Sequence, residues 1–153
     1  MLSFCIIETE VRRFMDKLLR EDLFDFFEVR GVDIVSFARF VIDGAIMNEA
    51  HKDGKSSLSY CTWGELRPYV FNIIKGKRPR VFKIVLSLPA EQAQMLHNNV
   101  LSCFLNLMFD GSRILCTASS SERTFTLDRS FDGVWHEYIL KFFKENKIVI
   151  RRD

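Results

Sequence analysis

Glycine and proline are scarce in this chain, which has 7 glycines and 3 prolines among its 153 residues. Disordered low-complexity segments and collagen-like repeats are rich in both residue types, so this scarcity excludes those classes. A chain of this length can bury roughly 68–70% of its unfolded surface in one core. We therefore expect one folded domain over residues 1–153.

Long apolar runs are also missing from the sequence. No stretch reaches the roughly 18 uninterrupted apolar residues of a membrane-spanning helix, and histidine, serine and asparagine interrupt the uncharged segment 92–109. The first ten residues lack the basic region of a secretory signal peptide and reach a carboxylate at Glu8. We therefore expect a cytoplasmic protein with no membrane partner.

The four cysteines have none of the spacings that hold a metal ion or a disulfide framework. Cys5, Cys61, Cys103 and Cys116 stand alone, with no Cys-x-x-Cys pair and no histidine at ligand spacing. This pattern predicts four reduced thiols that serve as small core residues, and it predicts no metal site.

Catalytic motifs are absent as well. The sequence contains neither of the glycine-rich loops that hold nucleotide phosphates, nor the Gly-x-Ser-x-Gly turn that carries a nucleophilic serine. His136 and Glu137 begin like the zinc-protease motif, but Leu140 occupies the position of its second histidine. We therefore predict no catalytic residue and no cofactor, and we favour a non-enzymatic protein.

A small enzyme or ligand-binding protein remains the alternative, because residues far apart in sequence can form one site. Such a protein needs a deep pocket lined by His97, His136 or a pair of carboxylates. Carboxylates with apolar neighbours do occur, at Asp22, Asp25 and Glu28.

Phenylalanine, in contrast, is abundant, with 15 copies against 3 tyrosines and 2 tryptophans. Core packing accounts for the aromatic residues at helical and strand spacings. The alternative is an exposed patch for a protein partner or for a second copy of the chain, since Trp and Tyr are enriched at interfaces. The residues of this patch are Trp63, Tyr69, Trp135 and Tyr138. An obligate oligomer that buries such aromatics is a further hypothesis.

Two helices are predicted in the first half of the chain. Apolar residues at helical spacing predict a helix over 10–20, with Thr9 as its N-cap. Thr62 and Glu65 have the spacing of a capping box, which predicts the start of a second helix that ends near Gly76.

A third helix is predicted to begin at Asp132 and to end at Asn146, and residues 90–98 are predicted as a short helical segment. Strands bounded by turn-forming residues alternate with these helices. They are predicted at 2–7, at two or more places within 26–46, and at 81–88, 103–109, 112–117, 123–128 and 147–152. The polar residues 47–59 are predicted to form a loop.

This order predicts an α+β fold, with antiparallel strands in one or more sheets and about three helices packed on them. A strand, a helix and a meander of strands occur twice in succession, which is similar to the topology of a domain of the sliding DNA clamps. The resemblance implies a clamp-like fold in which helices face DNA. It rests on topology and on no shared motif, so by itself it implies no function.

The densest positive charge follows the second predicted helix, at Lys75, Lys77, Arg78 and Arg80. Cations near the C-terminal end of a helix complement its dipole, and a solvated loop is one explanation for them. The other explanation is contact with phosphate groups, because clustered Lys and Arg residues release counterions from a nucleic-acid backbone. The first helix extends this surface with Arg12, Arg13, Lys17 and Arg20. The formal net charge of +2 argues against strong binding, so we predict weak binding of nucleic acid or another anion.

Two stretches also carry a family resemblance. Residues 60–78 read YCTWGELRPYVFNIIKGKR, and residues 37–44 read FARFVIDG. Together they resemble a family of small uncharacterised bacterial proteins known as a domain of unknown function. The resemblance implies a match over nearly the whole chain, and it brings no catalytic residue. The sequence therefore favours a non-enzymatic binding or assembly domain.

Overall fold

One antiparallel sheet of six strands forms the centre of the protein in a computed structural model that describes residues 1–47 and 59–152. The strands are β1 (Leu2–Ile6), β2 (Glu28–Val35), β3 (Arg39–Asp43), β4 (Val81–Ser87), β5 (Val100–Phe109) and β6 (Ile114–Glu122). They lie side by side in the order β1-β6-β5-β4-β2-β3. Of the loop predicted at 47–59, residues 48–58 lie outside the described part of the chain.

Four helices are present in the same described ranges. They are α1 (Glu8–Arg20), α2 (Trp63–Ile74), α3 (Ala90–Leu96) and α4 (Ser130–Glu145). The α+β class is confirmed, with four helices in place of about three, because the short segment between β4 and β5 forms a helix of its own. The six strands form one continuous sheet, and the clamp-like repeat stays a prediction. No described helix has the length and apolar character needed to cross a bilayer.

Aromatic rings join the sheet to the helices in the core. The ring of Phe143 in α4 lies 5.2 Å from that of Phe4 in β1 and 6.2 Å from that of Phe14 in α1. Along β5, buried residues such as Leu105 and Leu107 alternate with more exposed ones, as expected for a strand with one face in the core. Eight of the 15 phenylalanines are buried and four more pack against the core while partly exposed, so core packing explains most of them.

α1 begins earlier than predicted. The helix already includes Thr9, and Ile7 at the N-cap position has an extended backbone and no side-chain hydrogen bond. The Glu10 amide donates to the Ile7 carbonyl at 2.9 Å, so the first turn forms ahead of the predicted start. Glu8 and Glu10 in this turn complement the positive end of the helix dipole. The prediction that Thr9 caps the helix is wrong.

α2 begins as predicted, with a complete capping box. The Glu65 amide donates to the Thr62 hydroxyl, and the Thr62 amide donates to the Glu65 carboxylate at 3.0 Å. The helix continues through Pro68 and ends at its C-cap, Lys75. Gly76 follows with a φ of +73°, a conformation that glycine adopts at little cost, and the chain turns sharply there.

The junction of β6 and α4 differs from the prediction. Residues 119–122, which lie between the strands predicted at 112–117 and 123–128, are part of β6, because their backbone pairs with β5. Residues 123–128 consequently form no strand. α4 begins at Ser130, and the carboxylate of Asp132 lies inside the first turn, where it accepts a hydrogen bond from the Ser120 hydroxyl. The prediction of Asp132 as a cap is therefore wrong.

The remaining strand predictions are confirmed or shortened. The two or more strands expected within 26–46 are β2 and β3. The strands predicted at 103–109 and 112–117 are β5 and β6, which are both longer than predicted. The last predicted strand, 147–152, is reduced to an antiparallel bridge in which the Cys5 and Arg151 backbones exchange two hydrogen bonds of 2.8 Å.

Candidate anion-binding groove

A groove of about 660 Å³ lies between α1, the C-terminal end of α2 and the segment 75–79. We call it the cationic groove. Its floor is apolar and is contributed by both helices and by the end of β5. The floor residues are Val11, Met15, Leu19, Phe71, Ile74 and Phe109. Met15, Phe71 and Ile74 are partly exposed, so the floor offers apolar surface to a ligand.

Five cationic side chains line this groove, and they come from two distant parts of the sequence. Arg12 and Arg20 project from α1, where residues eight apart are separated by about 80° around the helix axis and can both reach a wide groove. Lys75, Lys77 and Arg78 come from the turn that follows α2. The fold therefore brings five of the eight predicted anion-binding residues around one concave surface.

Aromatic rings support three of these cations. Arg20 lies over the Phe71 ring, 5.2 Å from its centre, and Arg78 lies over the Phe109 ring at 5.3 Å. Arg78 also donates a hydrogen bond of 2.8 Å to the Gly111 carbonyl. Lys77 contacts the ring of Phe37 at 4.5 Å. Contacts of this kind stabilise an exposed cation by about 0.5–1 kcal/mol each, and they hold the charge in place without neutralising it.

Two carboxylates, Glu8 and Asp16, also line the groove, and both belong to α1. Asp16 lies 3.4 Å from the guanidinium of Arg20, and both side chains are more than half exposed. An exposed pair of this kind contributes only about 0–1 kcal/mol, so an incoming anion can compete for Arg20. The wall formed by residues 75–78 carries cations and no carboxylate. The groove as a whole therefore favours an anion, and this wall favours it most.

The other three predicted cations lie outside the cationic groove. Arg13 and Lys17 line a small separate cleft on another side of α1, where Arg13 lies 3.3 Å from Glu10. The side chain of Arg80 is exposed beyond the groove, and its backbone amide donates to the Val35 carbonyl. The predicted basic surface is thus divided by the fold.

The four aromatics predicted as a partner surface are mostly internal. Trp63 and Trp135 are fully buried, and their indole nitrogens donate to the carbonyls of Leu18 (2.8 Å) and Phe104 (3.1 Å). These two tryptophans are core residues, which corrects their placement on a surface, because the fold itself satisfies their polar atoms. Tyr138 is half-buried and stacks on Trp135, and burial raises its pKa. Tyr69 alone of the four is largely exposed, at 66%.

His97 and Ser130 lie close together but lack the hydrogen bonding of a catalytic pair. The Ser130 hydroxyl oxygen is 3.4 Å from His97 Nε2. The Asn99 amide donates to His97 Nδ1 at 3.0 Å, so the ring proton of the neutral histidine is on Nε2. A histidine in this state cannot take the serine proton. Neither His97 nor His136 lines the cationic groove.

The cysteines are packing residues wherever they are buried. All four are free thiols, with Cys5, Cys103 and Cys116 buried and Cys61 half-buried. Burial raises the pKa of Cys103 to about 12 and also raises that of Cys116, so these thiols stay protonated and unreactive. No group of three His, Cys, Asp or Glu side chains within residues 1–47 and 59–152 is arranged to hold a metal ion.

The floor of the groove is the part of the site that sequence reasoning missed. Val11, Met15 and Leu19 belong to the apolar stripe of α1, and a stripe of this kind predicts burial in the core. Val11 and Leu19 are indeed buried, whereas Met15 is only partly covered. The width of the apolar stripe on α1 could have indicated that some of its residues lie outside the core. Sequence alone does not show which residues at the edge of the stripe remain uncovered.

Comparison with known proteins identifies one family. The family model of DUF5721, described as a family of unknown function, matches residues 17–150. The match includes the cations after α2 and Arg20, whereas Arg12 and Arg13 precede it. No curated protein and no solved structure matches the chain.

Proposed function

The chain belongs to this family of unknown function, and we propose that it is a non-enzymatic binding domain whose cationic groove holds the phosphate backbone of a nucleic acid. The observation that carries the proposal is the meeting of cations from α1 with those after α2. A solvated loop accounts for Lys75, Lys77 and Arg78 alone. It does not account for Arg12 and Arg20 on the facing wall.

The chemistry of the groove suits phosphate groups in particular. Arginine forks and lysine ammonium groups are the side chains that contact phosphate oxygens, and Arg20 and Arg78 are held in position by aromatic rings. Arg12 and Lys75 form no ion pair with any described residue, so their charge is available to a ligand. The clamp-like topology, which stays a prediction, also directs helices toward nucleic acid.

Salt-dependent binding of labelled oligonucleotides tests this proposal. Each phosphate neutralised on a single strand contributes roughly 0.7 to the slope of log affinity against log salt, so five groove cations give a slope of at most roughly 3.5. We expect the double variant Lys75→Glu/Lys77→Glu to lose at least about tenfold in affinity at low salt and to show a smaller slope.

The matched control is Lys17→Glu/Arg80→Glu, which makes the same change in net charge outside the groove, at the partly buried Lys17 and the exposed Arg80. We expect it to retain most of the affinity. An equal loss in both double variants contradicts a groove-specific site, and the absence of binding by the unmodified protein at low salt contradicts the proposal altogether.

A further inference from the structure

We infer that the nucleic acid in the cationic groove is single stranded, with its bases on the apolar floor and its phosphates along residues 75–78. This inference rests on the proposed function and specifies its ligand. It follows from the distribution of apolar surface, of carboxylates and of arginine–ring contacts around the groove.

The apolar floor of the groove favours a single strand over a duplex. Met15, Phe71 and Ile74 are partly exposed between the cations, so a ligand that enters the groove meets apolar surface below its charges. A duplex carries its phosphates on the outside and its bases in pairs within, and it would contact the rim of the groove and leave the floor uncovered. A single strand can turn its base faces onto apolar and aromatic side chains, and such stacking tolerates any base sequence.

The distribution of carboxylates between the two walls determines the orientation of the bound strand. On the α1 wall, the carboxylates of Glu8 and Asp16 offset the charges of Arg12 and Arg20, whereas the opposite wall carries Lys75, Lys77 and Arg78 without a carboxylate. The backbone of the strand therefore follows residues 75–78, and its bases point to the floor and to α1.

Arginines provide further stacking surface on both walls. Arg20 covers the Phe71 ring and Arg78 covers the Phe109 ring, each with its guanidinium slightly more than 5 Å from the ring centre. A guanidinium is flat and can stack on a base, so these two arginines, held beside phenyl rings, add stacking surface to the groove. Arginine planes and aromatic rings are the groups that hold unpaired bases in single-strand binding proteins.

Three fluorescent probes of equal length test the inference by anisotropy: a single-stranded oligothymidine, the same backbone with abasic sites in place of every base, and a duplex. We expect the oligothymidine to bind about tenfold more tightly than the abasic strand, because base stacking adds to phosphate contact only in the former. We expect the duplex to bind more weakly than the oligothymidine.

Two floor variants and the charge variant separate the contributions. Met15→Ala shortens a partly exposed side chain of α1, and Phe71→Leu removes a ring but keeps apolar volume. We expect Met15→Ala to reduce oligothymidine binding several-fold, to leave abasic binding unchanged and to preserve the salt slope. Phe71→Leu also removes the ring beside Arg20, so we expect it to reduce oligothymidine binding more than abasic binding. Lys75→Glu/Lys77→Glu reduces the binding of both single-stranded probes. Circular dichroism confirms that each variant is folded, and Met15→Ala alone suffices if Phe71→Leu is not.

The outcomes distinguish this inference from the proposed function. Equal affinity for oligothymidine and the abasic strand overturns base contact and leaves phosphate binding in place. Tighter binding of the duplex overturns the single-strand assignment. If none of the three probes binds at low salt, the proposed function itself fails. An acidic amphipathic peptide that binds where no oligonucleotide does assigns the groove to a protein partner and overturns both.

Discussion

The indole of Trp63 connects α2 to α1 by a hydrogen bond, and the substitution Trp63→Phe tests how much this bond stabilises the packing of the two helices. Its Nε1–H donates to the Leu18 carbonyl at 2.8 Å in a fully buried position. Leu18 lies in the last turn of α1, where carbonyls lack a donor from the helix itself. Trp63→Phe removes this donor and leaves a buried acceptor without a partner.

The cost has two parts. A buried acceptor without a hydrogen bond destabilises the fold by about 1–3 kcal/mol, and the smaller ring leaves a cavity that adds about 1 kcal/mol. We therefore expect Trp63→Phe to lower the free energy of unfolding by about 2–4 kcal/mol. Because one wall of the cationic groove belongs to α1 and the other directly follows α2, nucleic-acid affinity should fall as well.

Urea unfolding followed by circular dichroism measures this change. With a urea dependence of about 2 kcal/mol per molar for a domain of this size, the midpoint should move down by roughly 1–2 M. Tyr69→Phe is the control, because Tyr69 is 66% exposed and its substitution should change stability by less than about 0.5 kcal/mol. If Trp63→Phe also changes the free energy of unfolding by less than about 0.5 kcal/mol, the hydrogen bond does not stabilise the contact between the two helices.

Two further predictions concern pH and backbone packing. Burial, together with the nearby N-terminal amine, lowers the pKa of His136 below its usual 6.5, so the folded state resists protonation. The free energy of unfolding should therefore fall as the pH decreases through 6.5 and level off below the lowered pKa. Urea midpoints measured at about pH 7.5 and about pH 5.5 should differ less in His136→Gln than in the unmodified protein. An equal difference in the two proteins contradicts the role of His136. A Cβ atom at Gly44 would lie 1.7 Å from the Val29 carbonyl oxygen, so Gly44→Ala should destabilise the fold by roughly 3 kcal/mol or more. Gly133→Ala, where nothing lies within 4 Å of the added atom, should instead stabilise α4 by roughly 0.5–1 kcal/mol, and thermal melting of both variants compares the two sites.

Local signals predicted those parts of the fold that depend on a few neighbouring residues. The capping box of Thr62 and Glu65 is complete within one turn, and the structure confirms it. The serines of 119–121 favour a turn locally, yet pairing with β5 extends them as a strand. Thr9 likewise has the chemistry of an N-cap, but the helix already starts at Glu8, directly after β1. Pairing and packing between distant segments override local preference in both places.

The sequence also predicted part of the cationic groove. The cluster from Lys75 to Arg78 is visible in the sequence because its members are adjacent. Arg13 and Arg20 are seven positions apart, so helical periodicity places them close together around the axis of α1 and does not separate Arg12 and Arg20 from Arg13 and Lys17. Sequence also does not show which side of α1 faces α2. The enrichment of tryptophan at interfaces also does not predict whether a given tryptophan is exposed. A buried indole can donate its hydrogen bond to a backbone carbonyl within the core, as Trp63 and Trp135 do.

The position of β1 has a consequence for how the chain folds. β1 pairs only with β6 among the strands, and Leu2 lies opposite Ala118, which follows it by 116 residues. At a synthesis rate of about 5–20 residues per second, the apolar N-terminal segment waits roughly 6–23 seconds for its partner strand to be made. Such non-local pairing is associated with folding in milliseconds to seconds rather than microseconds. Until β6 has been made, β1 has no partner strand and its unpaired backbone is open to other chains, so aggregation of the nascent protein through β1 is a risk in this interval.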